Sequence, residues 1–263
     1  MKSEKQKLHV IVPVYNEASN IERFIFGINK LHAHMLSSGK QLTMILVNDG
    51  STDATCDIAY SSDHSFELVI LTHKLRRGPG AAFSTAFHFL LDKLGSGDLV
   101  LLMEGDNTSR IETAMQMVVR ISEGYDVVLA SPYAYGGGFS DTPAHRLILS
   151  HCANGLLKIF AGLRGIHTFS SFYRLFRGSI IIQLHRVYGG NILETDGFEC
   201  MVELLIKLTL IKARISEVEM TLDTSCRRGK SKMRIPKTVI GYLKVLCKYR
   251  KWVGITDRGM NTA

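Results

Sequence analysis

The chain has 263 residues, within reach of one large α/β domain, and its apolar fraction of 46% is ample for a core. A net charge of +8 and a pI near 9.3 favour anionic partners, whether nucleic acid, a phospholipid surface or a phosphorylated substrate. Five scattered cysteines with no CxxC pair argue against a disulfide framework and for a reduced, cytoplasmic setting, and the ten histidines show no zinc spacing.

The polar stretch from Met1 to Lys7 leads into no apolar core of signal-peptide type, and no apolar run is long enough to span a bilayer. Neither a leader nor a transmembrane helix is expected. Residues 8–14 read as a first strand, and Pro13 near its end suits a strand terminus rather than a central ladder position. Residues 18–36 follow a helical period through Ile21, Phe24, Ile25, Ile28, Leu31 and Met35, and Ser37-Ser38-Gly39 stops that helix. Residues 42–47 form a second buried strand. It runs into Asn48-Asp49-Gly50-Ser51-Thr52-Asp53, a turn in which Ser51 or Thr52 can cap the next helix. Residues 66–71 are a third strand. Arg76-Arg77-Gly78-Pro79-Gly80-Ala81-Ala82 is a glycine loop opening a helix to about Leu94.

Residues 99–103 read as a fully buried fourth strand that ends abruptly on Glu104, Gly105 and Asp106. A helix at about 111–122 and a strand at 126–130 follow. This alternation predicts an α/β fold with a mostly parallel sheet and helices on both faces. Ligands of such sheets sit beyond the C-terminal strand edges, so one cleft can hold Asp49, the glycine loop and Glu104/Asp106. Two carboxylates two residues apart can converge on one hard cation such as Mg²⁺ or Mn²⁺, which takes oxygen ligands and shares its shell with substrate phosphates. Read alone, the pair equally suits a polar strand terminus.

The second half is less regular. Residues 131–145 form a loop containing Gly136-Gly137-Gly138, and residues 146–163 look helical, with Arg146 and Ser150 one turn apart. Residues 169–176 suit a strand, 197–211 a helix and 215–222 a strand. Arg227-Arg228-Gly229-Lys230-Ser231-Lys232 is a dense basic loop. A last helix at about 237–253 places Val239, Leu243, Leu246 and Tyr249 near one face, to lie on an anionic membrane or pack on the domain.

Val10-Ile11-Val12-Pro13-Val14-Tyr15-Asn16-Glu17, together with Val47-Asn48-Asp49-Gly50-Ser51-Thr52-Asp53, resembles the opening of the family-2 inverting glycosyltransferases of GT-A fold. Met103-Glu104-Gly105-Asp106 stands where that family carries its Asp-x-Asp metal motif, with Glu104 for the first aspartate. Ala130-Ser131-Pro132-Tyr133, Arg146 with Ser150, Ser170-Ser171-Phe172, Glu203, Glu217-Val218 and Arg228-Gly229-Lys230-Ser231-Lys232-Met233 look like the polyprenyl-phosphate branch, of which dolichyl-phosphate mannose synthases are the best-known members. Pro132 stands for that branch's usual arginine, His167 and Ser171 for an aspartate and a glycine, and Arg76 for an asparagine.

The resemblance implies a nucleotide-diphospho-sugar transferase fold in a single domain over 1–263. A nucleotide-sugar half at about 8–130, an acceptor half at about 131–235 and a basic C-terminal helix and tail at about 236–263 are expected. It implies transfer of a sugar from a GDP- or UDP-sugar to polyprenyl phosphate. Pro13, Tyr15 and Glu17 would line the nucleotide pocket, Asp49 would accept a hydrogen bond from the base, and Mg²⁺ or Mn²⁺ would sit on Asp106 and Glu104. Gly78 and Gly80 can cradle phosphate through backbone N–H groups, or simply open a helix. A lipid phosphate is already an anion at pH 7, so the reaction needs cations rather than a general base, and Arg146, Arg228 and Lys232 are the candidates beside Asp106. A saccharide hydroxyl as acceptor, or a weakly catalytic nucleotide- or anion-binding protein, are the alternatives. A dinucleotide oxidoreductase is discounted because no GxGxxG follows the first strand. The expected setting is cytoplasmic and peripheral on a membrane face, without nucleic acid.

Overall fold

The computed structural model describes residues 6–141, 155, 165–229, 232 and 235–261. In chain order the elements are β1 (Lys7–Val14), α1 (Ala18–Ser37), β2 (Gln41–Asn48), α2 (Thr55–Ser61), β3 (Glu67–Thr72), α3 (Pro79–Leu91), β4 (Leu99–Leu102), α4 (Ile111–Ser122), β5 (Val127–Ser131) and β6 (Gly138–Ser140). There follow β7 (Arg174–Arg177), α5 (Gly178–Tyr188), α6 (Cys200–Leu210), β8 (Ile215–Glu219), β9 (Thr221–Asp223) and α7 (Ile235–Asn261).

Seven strands make one sheet in the order β3-β2-β1-β4-β7-β5-β8, parallel throughout except where β7 runs antiparallel to both neighbours. Alternate residues serve opposite faces. Ile11, Ile45, Val47, Val100 and Leu102 pack with Phe83 and Phe87 of α3 and Leu204, Leu205 and Leu208 of α6. Val10, Val12, Met44, Leu46 and Leu101 pack with Ile21, Phe24, Ile25 and Ile28 of α1 and Met117 and Ile121 of α4. Burial on both faces is why these strands read as unbroken apolar runs.

Several expectations are corrected. Pro13 stands next to the end of β1 as expected, but that strand is central and Pro13 is still in its ladder, paired with Val47. Val14 O accepts from Asp49 N and Ile11 O from Met103 N, so the N–H that Pro13 lacks would point to the β4 side, beyond the end of β4. The 169–176 strand shrinks to β7, and α5, carried by Ile180, Ile181, Leu184 and Tyr188, was not anticipated. The 131–145 loop contains β6, which pairs with β9, so the predicted 215–222 strand divides between two sheets. The predicted helix at 146–163, with Arg146 and Ser150, lies outside the described residues apart from Gly155.

The last helix also differs from expectation. Val245 and Trp252 are its fully buried side chains, with Leu246 and Tyr249 packed beside them, whereas Val239, Ile240 and Leu243 are exposed. Glu194 anchors this helix: its carboxylate accepts from Trp252 Nε1 and Lys251 Nζ, both at 2.8 Å. Glu203, on α6 and fully buried, accepts from Lys207 Nζ, Glu194 N and Thr195 Oγ1 at 2.6–2.7 Å. These contacts press residues 194–199 onto the start of α3. There Gly80 N donates to Asp196 O at 2.8 Å, and a Cβ at position 80 would lie 2.0 Å from Thr195 O.

Gly80→Ala is therefore expected to destabilise the protein by about 2–3 kcal/mol, the scale of overpacking against backbone. Urea unfolding of the two proteins checks this.

Candidate active site

The order of the sheet reverses between β1 and β4, and side chains at the C-terminal ends of β1, β2 and β4 meet there. A cavity of ≈ 100 Å³ opens at this point, between the ends of β1, β2 and β4, α3 and the basic loop. The turns are tied together by short polar side chains. Asn16, with φ 52°, donates its N–H to Ser51 Oγ and accepts from Thr52 N, and Glu17 N donates to Thr55 Oγ1. Ser51 and Thr52 thus join the β1 turn rather than cap α2. That end is served by Asp53, which accepts from Thr55 N.

Gly105 lets the backbone leave β4 tightly, since a Cβ there would sit 2.9 Å from Val14 Cγ1. Glu104 and Asp106 then face the cleft on either side of one hydroxyl: Thr108 Oγ1 lies 2.6 Å from Asp106 Oδ1 and 3.0 Å from Glu104 Oε2. A single hydroxyl hydrogen cannot serve both carboxylates. A protonated Glu104 donating to Thr108, which in turn donates to Asp106, satisfies all three groups. Burial first, then the charge of Asp106, push the Glu104 carboxyl up to about 7. The other oxygen of Asp106 accepts from Arg227 Nε at 2.5 Å.

Asp49 is held from three directions. Oδ1 accepts from Arg77 N and from His73 Nδ1, both at 2.8 Å, and Oδ2 accepts from Gly78 N at 2.7 Å. With Gly78 N on Asp49 and Gly80 N on Asp196, the phosphate-cradle reading of the glycine loop is corrected. Both amides are spent on holding the loop, and Gly78 is glycine because φ is +113° and a Cβ would meet Asp196 O at 2.3 Å.

At the mouth, the Arg76 guanidinium rests on the Tyr15 ring, 4.1 Å from its centroid. Lys232 Nζ donates to Asn16 O at 2.7 Å and pairs with Glu17, whose other oxygen accepts from Asn20 Nδ2 at 2.6 Å. Phe172 and Phe198 stack at 5.3 Å and also line the cavity. The basic loop is in different phase from expectation. Asn20 grips the backbone of Arg228, accepting from its N–H and donating to its carbonyl, so the Arg228 side chain is exposed and Arg227 enters the cleft.

Pro13, Tyr15, Glu17, Asp49, Glu104, Asp106 and Lys232 thus line one cavity; Gly78, Gly80 and Arg228 do not, and Arg146 lies outside the described residues. Arg227, His73, Thr108 and Phe198 join the site without having been singled out. Arg227 was adjacent to a chosen cation, whereas nothing local marked His73. Among the described residues, no three His, Cys, Asp or Glu side chains converge as a metal cluster. Once Glu104 ionises, above about pH 7, two cleft carboxylates and one hydroxyl are answered by one guanidinium, which leaves a deficit of positive charge. That all-oxygen donor set fits a hard divalent ion that completes its shell with phosphate and water.

Residues 9–184 match the family model described as Glycosyl transferase family 2. The chain is 28% identical over 254 residues to a dolichol-phosphate mannosyltransferase from Pyrococcus furiosus, covering 96% of this chain and 66% of that protein. It is 27% identical over 233 residues to a polyprenol monophosphomannose synthase from Mycolicibacterium smegmatis, covering 87% and 81%. Its fold is like that of glucosyl-3-phosphoglycerate synthase from Mycobacterium tuberculosis, solved with Mn²⁺, uridine diphosphate and glucosyl-3-phosphoglycerate. The TM-score is 0.63 at 16% identity, over 95% of this chain and 80% of that one.

The raised Glu104 carboxyl gives a testable pH dependence. The folded state holds this proton more tightly than the unfolded state does, so its contribution is fully present below the unfolded value near 4.5 and is lost as pH rises to about 7. Metal-free protein is expected to lose roughly 3 kcal/mol across that window relative to Glu104→Gln. Denaturation of both proteins at several pH values checks this.

Proposed function

Because the chain belongs to glycosyl transferase family 2, we propose that it is an inverting transferase that moves a sugar from a nucleoside-diphosphate sugar to a polyprenyl phosphate. The observation that carries this reading is the pairing of Glu104 and Asp106, at the reversal of the sheet, with two cations of the basic loop in one cavity. The relatives named for dolichol-phosphate and polyprenol substrates support the same acceptor class.

In the proposed reaction an acceptor phosphate oxygen attacks the anomeric carbon from the face opposite the diphosphate. The bond between that carbon and the diphosphate oxygen breaks, and its electron pair leaves with the nucleotide. A divalent ion held by Asp106 and Glu104 would supply neutralising charge for the departing diphosphate. Arg227 and Lys232 place positive charge in the same cavity, where two anionic substrates must meet. Pro13, Tyr15, Arg76 and Asp49 form the end suited to the base. The phosphate acceptor needs no base to ionise it. Of the cavity's carboxylates, Glu17, Asp49 and Asp106 each already accept from a cationic or amide donor, and Glu104 is the one that does not.

Among the described residues no helix is long and apolar enough to cross a membrane. Contact with a lipid acceptor is assigned instead to the first turns of α7. Val239, Ile240 and Leu243 are 44%, 54% and 57% exposed there, and Lys237, Lys244 and Lys248 line a groove that shares Arg76, Pro79, Phe198 and Lys232 with the catalytic cavity. The proposed setting is the cytoplasmic face of a membrane.

Transfer assays with UDP- and GDP-sugars, short polyprenyl phosphates and Mg²⁺ or Mn²⁺ test the reading. No transfer to any lipid phosphate, with transfer to a saccharide hydroxyl, would overturn it. Asp106→Asn and Arg227→Ala are each expected to lower turnover on the order of a hundredfold with the fold intact, whereas Arg228→Ala changes it by no more than about threefold. Flotation with anionic vesicles is expected to recover less Leu243→Glu protein than wild type.

A further inference from the structure

We infer that the donor nucleotide is a uridine diphosphate rather than a guanosine diphosphate, and that His73 helps to enforce the choice by filling the acceptor capacity of Asp49. The inference rests on the proposed function, in which Asp49 meets the base.

A carboxylate offers about four acceptor positions, two on each oxygen. Asp49 Oδ1 has both of its positions filled, by Arg77 N and by His73 Nδ1. Since a carboxylate only accepts, Nδ1 of His73 carries a hydrogen, and Nε2 is hydrogen-bonded with Thr85 Oγ1 at 2.9 Å. Asp49 Oδ2 has one position filled, by Gly78 N. One acceptor position remains, on Oδ2, of a side chain that is 5% exposed yet lines the cavity with Pro13, Tyr15 and Arg76.

Guanine presents two parallel donors on its pairing edge, the ring N1–H and the amino N2–H. A carboxylate receives them with one oxygen each. With Oδ1 full, one of those donors would be buried without a partner, a cost that selects strongly against it. Uracil presents a single ring N–H between two carbonyl oxygens. The remaining position on Oδ2 takes that N–H, and the Arg76 guanidinium, which lines the same cavity, has donors to give a carbonyl. Cytosine has no ring N–H to give.

Isothermal titration of the full chain with UDP, GDP and ADP, each with Mn²⁺, tests the inference. UDP is expected to bind at least about tenfold more tightly than GDP or ADP. GDP or ADP binding as tightly as UDP overturns the inference and leaves the proposed function standing, whereas binding of none of them overturns both. His73→Phe frees a position on Oδ1 and is expected to narrow the UDP preference over GDP at least threefold, while His73→Asn, which keeps an N–H donor, retains it. Equal loss of both affinities in His73→Phe, with the ratio unchanged, would mean that His73 only holds the loop, and would overturn its role in selection.

Discussion

The site depends on close packing of like charge. Two carboxylates at the end of β4 share one threonine hydroxyl, and burial with the charge of Asp106 makes Glu104 harder to ionise. Such a pair persists only where positive charge is brought to it. Arg227 does so across 121 residues of sequence, and the parallel sheet makes that reach possible by gathering turns from separate strands at one edge. The geometry of the cleft follows from answering that charge.

The remaining polar contacts hold the gathered turns still. Asn16, Ser51, Asp53 and Thr55 bind the β1 turn to the β2 turn, and Asp49 binds the β2 turn to the glycine loop. Residues 194–199 close over that loop from the α6 side, themselves fixed by Glu203 and Lys207. Glu203 and Lys207 are both fully buried, and each has the other as a 2.6 Å partner, which is what makes their burial tolerable. A chain of contacts thus runs from the interior of α6 to the part of the cavity lined by Asp49.

Much of this was legible in the sequence. Strands buried on both faces are contiguous apolar runs, and the helices between them kept their period, so the α/β alternation to residue 131 could be read directly. Carboxylates at strand ends declared themselves because polar side chains interrupt apolar runs there. Other features carried no local signal. The antiparallel course of β7 depends on which neighbours it joins, and only its pairing with β4 and β5 reveals it. Two adjacent arginines look alike in a string, and it is the grip of Asn20 on one backbone that turns Arg227 inward and Arg228 outward. His73 follows a strand without any motif, and matters only because Asp49 comes to lie beside it. The helix α5 had a period that could have been found, in Ile180, Ile181, Leu184 and Tyr188.

The family match ends at residue 184, yet Arg227 and Lys232 both come from beyond it, on a loop whose backbone is gripped by Asn20 and Arg23 of α1. The molecule is therefore modular in its electrostatics. The cavity's carboxylates, Glu17, Asp49, Glu104 and Asp106, are encoded in the matched region together with Arg76, whereas its other two cations reach it from a loop outside that region, so the charge balance of the cleft is completed only when distant parts of the chain have folded together.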